Sequence, residues 1–318
     1  MNITENKTAG SFKNFQALEH ARLNALYQAW GNDSIKLGNG PVFIPGQKDK
    51  VVLLIHGFIA STFELITLAR TINQNGQGPS VYLPLLEGFG SSTLIANHSS
   101  REGWQKTVES ALLALSADFQ QIALAGFSLG GGLASALALD SRHINVEGLI
   151  HNSKNSRITS ICLMAPYYGM HTPLPVSSNV LKWISDKLFK NSKGINLKTL
   201  YTLSRIKDLK TVVANSDFYN TAFPLAAVGE INAFSATLQR TDQHLHSNIP
   251  TLLAFSEADQ TVNLKLAEKL VGIHFPHSKI IRLPKAEKVP HQLLAPDVNP
   301  DFESISQSIR HFIVQYFN

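Results

Sequence analysis

Apolar residues recur along this chain in two alternating rhythms. Short, partly β-branched runs occur at Val51–Ile55, Val81–Leu83, Gln121–Ala125, Ile158–Met164, Thr251–Ser256 and Ile280–Leu283. Between and after them lie longer segments, Phe63–Asn73, Trp104–Leu115, Gly131–Leu139 and Phe302–Phe317, which read as helices. The first rhythm suits strands buried on both faces and the second suits helices with one apolar stripe. Their alternation predicts a mostly parallel sheet with helices on both faces. Upstream, Phe12, Phe15, Leu18, Leu23, Leu26 and Trp30 fall on one side of a helix predicted over residues 12–30, with Glu19 intruding on that face. The opposite face carries few cations, so this helix is expected to pack on the body rather than on a membrane surface. Gly31 to Gly46, rich in Gly, Asn and Pro, reads as a loop.

Between Met164 and Pro250 the alternation breaks. Trp183, Phe189, Phe218, Tyr219, Phe223 and Leu225 lie there, in helical runs joined by Ser, Asn, Lys and Pro. The stretch is expected to be an insert over the site, a cap. The expected organisation is an N-terminal helix and loop (1–46), a core (47–166 and 249–318) and a cap insert (167–248). A second polar insert, Ser141 to Arg157, reads as a loop. No metal-ligand spacing, phosphate-cradling glycine loop or internal repeat stands out, so no cofactor and no metal are expected.

The most informative segment is Gly126-Phe127-Ser128-Leu129-Gly130. Three fixed positions recur by chance in about one chain in ten of this length, so the bare pattern is weak. Here an apolar β-run precedes it and a small-residue helix follows, which places Ser128 at a sharp strand-to-helix bend. Such a bend lifts the hydroxyl clear of the sheet and leaves no room for side chains at the flanking glycines. An exposed serine of this kind is a candidate nucleophile. It needs a base, an acid that orients the base, and donors for the oxyanion.

Acid and base are sought downstream, in loops after late strands. Thr251–Ser256 is followed by the polar loop Glu257-Ala258-Asp259-Gln260, and Asp259 is the chosen acid, with Glu257 as its rival. Ile280–Leu283 leads into a loop ending at His291, the chosen base; His274 and His277 precede that strand and read as surface or loop histidines. The oxyanion donors are expected to be the backbone amides of Leu129, after the serine, and Phe58, after Gly57 at the end of Val51–Ile55. His56 would fall out of chain order as the base and is read as structural.

Together, Leu54-Ile55-His56-Gly57-Phe58, Pro84-Leu85-Leu86-Glu87-Gly88-Phe89-Gly90, Trp104, Gly126–Gly131, Ser256-Glu257-Ala258-Asp259 and His291 resemble the α/β-hydrolases of the monoacylglycerol lipase and bacterial carboxylesterase group. The resemblance covers about residues 45 to 317 with a gap in the middle. It implies the α/β-hydrolase fold, with a helical cap inserted after the sixth strand. It also implies Ser128 as nucleophile, Asp259 and His291 as its partners, and the amides of Phe58 and Leu129 as oxyanion hole. The chain departs from the group at Phe89, where a histidine is common, and at Val289-Pro290, where a small residue and glycine are more usual.

Composition narrows the class. The 318 residues, 44% hydrophobic, suffice for one large core. A net charge of +5 with 16% charged residues and no long basic run argues against a nucleic-acid partner. The single cysteine, Cys162, excludes an internal disulfide and reads as a buried strand thiol. The N-terminus lacks a basic stretch followed by an apolar core, and no apolar run is long enough to cross a bilayer, so the cytoplasm is the expected location. The expected activity is hydrolysis of carboxylic esters, of short or medium acyl chains or monoacylglycerol-like lipids, through an acyl-enzyme. Another acyl hydrolase (lysophospholipase, thioesterase or serine peptidase) and a non-catalytic binding module on the same scaffold stay open, because a triad fixes the reaction type and not the leaving group.

Overall fold

The computed structural model describes residues 7–151, 153, 156–171, 195–196, 217–220 and 222–317. Its strands are β1 (Val42–Ile44), β2 (Gln47–Ile55), β3 (Pro79–Leu83), β4 (Gln121–Phe127), β5 (Arg157–Met164), β6 (Ile195–Asn196), β7 (Ala222–Phe223), β8 (Thr251–Ser256) and β9 (Ser278–Leu283). Seven of them form one sheet in the order β1-β3-β2-β4-β5-β8-β9, and β6 pairs only with β7. Every neighbour pair in the large sheet is parallel except β1 with β3. β4 sits at the centre, fully buried from Ile122 to Phe127. Runs buried on both faces are what a parallel sheet between helical layers requires.

The helices are α1 (Lys7–Gly31), α2 (Ile66–Asn73), α3 (Thr93–Ala96), α4 (Arg101–Asp118), α5 (Leu129–Ala138), α6 (Leu225–Gln239), α7 (Leu264–His274) and α8 (Phe302–Gln315). Several start where a side chain satisfies an orphan amide. The Ser100 hydroxyl accepts from Gly103 N at 3.0 Å to open α4, and Asn263 Oδ1 accepts from Leu266 N at 3.1 Å to open α7. No helix among the described residues is long and apolar enough to cross a membrane.

Three details differ from expectation. β1 lies within the segment read as loop; it is three residues long, too short for its pattern to register, and exists by pairing with β3. Among the described residues five strands, β1 to β5, precede residue 167, where six were expected. Of the residues expected in the cap, Trp183 and Phe189 lie outside the described residues. The third difference concerns α1. Its buried stripe runs through Phe12, Glu19, Leu23 and Tyr27, and Leu18, one position and about 100° away, is 70% exposed.

Glu19 is tolerated on that stripe because Arg22 binds both its oxygens, at 2.9 and 2.8 Å, while a further guanidinium nitrogen reaches Glu87 at 3.1 Å. The Tyr27 hydroxyl donates to Phe89 O at 2.9 Å and accepts from Gly88 N at 2.9 Å. α1 is thereby bolted to the 87–90 loop. Tyr27→Phe removes both bonds and strands a buried amide and a buried carbonyl, a loss of about 1–3 kcal/mol. The urea midpoint should fall accordingly with the slope of the transition unchanged; an unmoved midpoint would show that water replaces the hydroxyl.

Candidate active site

The carboxyl ends of β2, β4, β8 and β9 meet at one edge of the sheet, where parallel α/β folds place their sites. β4 gives way to α5 within one residue, Ser128, at φ 53° and ψ −117°. A non-glycine residue there is strained, by about 1–3 kcal/mol, and must be held by its surroundings. Ser128 N donates to Met164 O, while Ser128 O accepts from Tyr167 N, each at 2.9 Å, and from Gly132 N at 3.1 Å. A β-carbon on Gly126 would collide with the Gly130 carbonyl, and one on Gly130 with the Ile55 carbonyl. The two glycines are thus required by backbone crossing.

His291 stands over the elbow, its Nε2 2.9 Å from Ser128 Oγ and its Nδ1 2.7 Å from Asp259 Oδ2. The other carboxylate oxygen of Asp259 accepts from Thr261 N at 2.7 Å and Val262 N at 3.1 Å. A proton on Nδ1 lets the imidazole donate to Asp259 and turns the Nε2 lone pair toward the serine hydroxyl. All three side chains are buried, Ser128 at 6%, Asp259 at 3% and His291 at 5% exposure, so the pairing is little weakened by water. The departure at Val289-Pro290 has a packing reason. Val289 is fully buried and its carbonyl accepts from the Ser256 hydroxyl at 2.6 Å, which ties the His291 loop to the end of β8.

The rivals lie elsewhere. Glu257 is exposed and turns toward Lys285 N, 3.3 Å away. His277 is exposed, but His274, expected at the surface or in a loop, is buried at the end of α7 with Nδ1 2.7 Å from Leu245 O. His56 Nε2 accepts from Leu86 N at 3.0 Å, so its Nδ1 donates to Gly57 O at 2.8 Å. Burial lowers its pKa to about 4, which keeps it neutral. Phe89, in the position where a histidine is common, lies edge-on to His56 and Phe58 and stacked on Trp104 at 5.7 Å.

Leu129 opens α5, where helix geometry gives its amide no intrahelical acceptor. Phe58 follows Gly57 in the turn after β2. A β-carbon on Gly57 would lie 3.4 Å from Ser128 Cβ and 3.0 Å from Glu64 Oε2, so this turn passes close to both the serine and a second carboxyl group. Glu64 Oε2 accepts from Gly57 N at 2.7 Å and Oε1 from the Tyr219 hydroxyl at 3.3 Å. Desolvation raises the Glu64 pKa to about 7, against the opposing pull of the Gly57 amide, His291 and Tyr219. Sequence reasoning missed Glu64; the available signal was a lone acid in the otherwise uncharged stretch between His56 and Arg70. Elsewhere Glu109, Asp140 and His143 gather with their ligand atoms within 4.8 Å of one another. Arg142 bonds both carboxylates of that group, at 3.2 Å and 2.5 Å.

Residues 46–294 match the family described as "Serine aminopeptidase, S33" (Hydrolase_4). A carboxylesterase of Bacillus subtilis (strain 168) is 27% identical over 172 residues, 53% of this chain and 66% of that protein, just under two thirds of its length. The monoacylglycerol lipase of Paleococcus ferrophilus has a similar structure, with a TM-score of 0.63 at 16% identity over 87% of this chain and 98% of that one. A soluble variant of the monoglyceride lipase from Saccharomyces cerevisiae gives 0.62 at 14% identity over 88% and 92%. At these identities the structural likeness is one of fold.

Glu64 makes stability depend on pH in a stated direction. Its folded pKa, about 7, exceeds the ordinary 4.5, so the folded chain keeps a proton that the unfolded chain has lost between those values. The neutral acid's contribution is therefore full below pH 4.5 and lost as pH rises through 7. Part of the side chain still meets solvent, so the loss is on the order of 1–2 kcal/mol and not the full equivalent of the shift. Glu64→Gln, which cannot ionise, should melt several degrees higher than wild type at pH 8 and at nearly the same temperature at pH 4.5. Equal differences at the two pH values would contradict the assignment.

Proposed function

The chain belongs to the S33 serine aminopeptidase family of α/β-hydrolases, and on that premise we propose that it is a serine hydrolase that cleaves carboxylic esters through an acyl-enzyme. Ser128 is the nucleophile, His291 the general base and then acid, and Asp259 the carboxylate that keeps the imidazole in the useful tautomer. The observation that carries this reading is the continuous line from Asp259 through His291 to Ser128 Oγ, with hydrogen-bond distances of 2.7 and 2.9 Å, at a strained elbow.

In the first step His291 Nε2 takes the hydroxyl proton as Ser128 Oγ attacks the ester carbonyl. The amides of Phe58 and Leu129 receive the oxyanion, and each such donor is worth about 3 kcal/mol. Collapse of the tetrahedral intermediate releases the alcohol, which takes the proton from His291. Water then adds to the acyl-enzyme with the same proton transfers, freeing the acid and restoring Ser128. The substrates proposed are esters of short or medium acyl chains or monoacylglycerol-like lipids. Residues 167–248 act as a cap, a role supported by Asn220 N donating to Ile59 O at 2.9 Å and by Tyr219 reaching Glu64.

A fluorophosphonate should label one site per chain, at Ser128, and abolish hydrolysis of p-nitrophenyl butyrate in parallel. Ser128→Ala should remain folded, refuse the label and lose roughly 10⁴-fold or more in kcat. Well-folded wild type that stays unlabelled would favour a binding module. A panel of matched esters, thioesters, lysophospholipids and amino-acyl p-nitroanilides separates the acyl hydrolases; the ester is expected to turn over fastest, and a faster p-nitroanilide would make the chain a peptidase.

A further inference from the structure

We infer that Glu64 is a positioning residue for the reaction proposed above, on which this inference rests: by accepting the Gly57 N–H it holds the Gly57–Phe58 turn, and with it the Phe58 amide, in register beside Ser128. Glu64 occupies the 3-10 turn Thr62–Leu65 that precedes α2, and a β-carbon on Gly57 would touch both its Oε2, at 3.0 Å, and Ser128 Cβ, at 3.4 Å. Its carboxyl group is held from both ends, by the 2.7 Å bond from Gly57 N and the 3.3 Å bond from the Tyr219 hydroxyl.

The turn needs such a restraint. Ile59, next after Phe58, lies at φ 58°, a left-handed conformation that a β-branched residue adopts only when its surroundings impose it. Its carbonyl accepts from Asn220 N at 2.9 Å, and the Ser61 hydroxyl donates at 2.9 Å to Oδ1 of Asn39, whose Nδ2 donates to Asp217 O at 3.1 Å, so residues 217–220 clamp the same loop directly and through Asn39. Phe63 stacks on Phe218 with ring centroids 3.5 Å apart, which fixes the residue before Glu64 against that segment. Without the Glu64 oxygen, the Gly57 amide would turn toward another acceptor and carry Phe58 with it.

A charge effect is the competing explanation. Among the described residues, the ionisable groups that act on Glu64 are His291 and Tyr219. A negative charge at Glu64 would favour an imidazolium at His291 and oppose an oxyanion at Phe58, and these two influences have opposite sign. The hydrogen bond to Gly57 suffers no such cancellation, which makes geometry the distinguishing role.

Two reciprocal variants separate reach from charge. Glu64→Gln keeps an oxygen within reach of Gly57 N but cannot ionise, whereas Glu64→Asp keeps the ionisable carboxyl group and is one methylene too short. Each folded variant is titrated to its labelling end-point with a fluorophosphonate, the phosphonylation rate is measured, and kcat and KM are determined on p-nitrophenyl butyrate. Loss of an oxyanion donor costs 10²–10³-fold, and a displaced donor costs less. Glu64→Asp should therefore slow phosphonylation and kcat by about 10- to 100-fold, with KM within about twofold and the end-point still one label per chain. Glu64→Gln should stay within about threefold of wild type in both rates. A fast Glu64→Asp, or a Glu64→Gln slowed tenfold, overturns the positioning role, and either variant alone suffices for the test. Wild type that takes no label defeats the proposed reaction itself, so the two failures are told apart.

Discussion

Strand β4 can pass into α5 across a single residue only because no side chain stands at positions 126 and 130. There two backbone segments approach within the volume of a methyl group, the Gly130 carbonyl lying over Gly126 and the Ile55 carbonyl over Gly130. Much follows from that crossing. It forces Ser128 to φ 53°, raises its hydroxyl above the sheet, and brings the turn after β2 alongside. The start of α5 is a poor helix sequence on intrinsic grounds, Gly130, Gly131 and Gly132 each costing about 1 kcal/mol relative to alanine. All three are buried, so packing and not propensity keeps the helix in place.

Behind the elbow, a second set of contacts holds the loops that converge on it. His56, locked as a neutral ring between Leu86 N and Gly57 O, joins the turn after β2 to the loop after β3. Phe89 and Trp104 pack against that junction, and Tyr27 of α1 secures the same loop from outside. The Ser256 hydroxyl does the corresponding work for the His291 loop through Val289 O. Side chains outside the Asp259–His291–Ser128 line thus fix the path of the turn after β2 and of the His291 loop.

Local chemistry was legible where it depends on neighbours in sequence. β4, its elbow and α5 announce themselves through a short apolar run, four glycines and an Ala/Leu-rich run. Asp259 and His291 follow β-runs whose length and composition are unambiguous, and the fold brings them to Ser128. Illegible were features created by distant partners. β1 has three residues and owes its extended shape to β3. Leu18 faces water because Tyr27 and Leu23 set the buried stripe of α1, which no apolar count reveals. Glu64 looks like any polar turn residue until Gly57 and Tyr219, 7 and 155 positions away, close on its two oxygens.

Cys162 lies fully buried in β5, paired in register with Ala125 of β4 and Leu252 of β8, and burial pushes its thiol pKa far upward. It is the chain's one thiol. An alkylating reagent therefore meets no reactive sulfur until the central strands part. The rate of its incorporation clocks the opening of the sheet in each molecule, free of any background from surface cysteines, and the protein carries its own gauge of kinetic persistence.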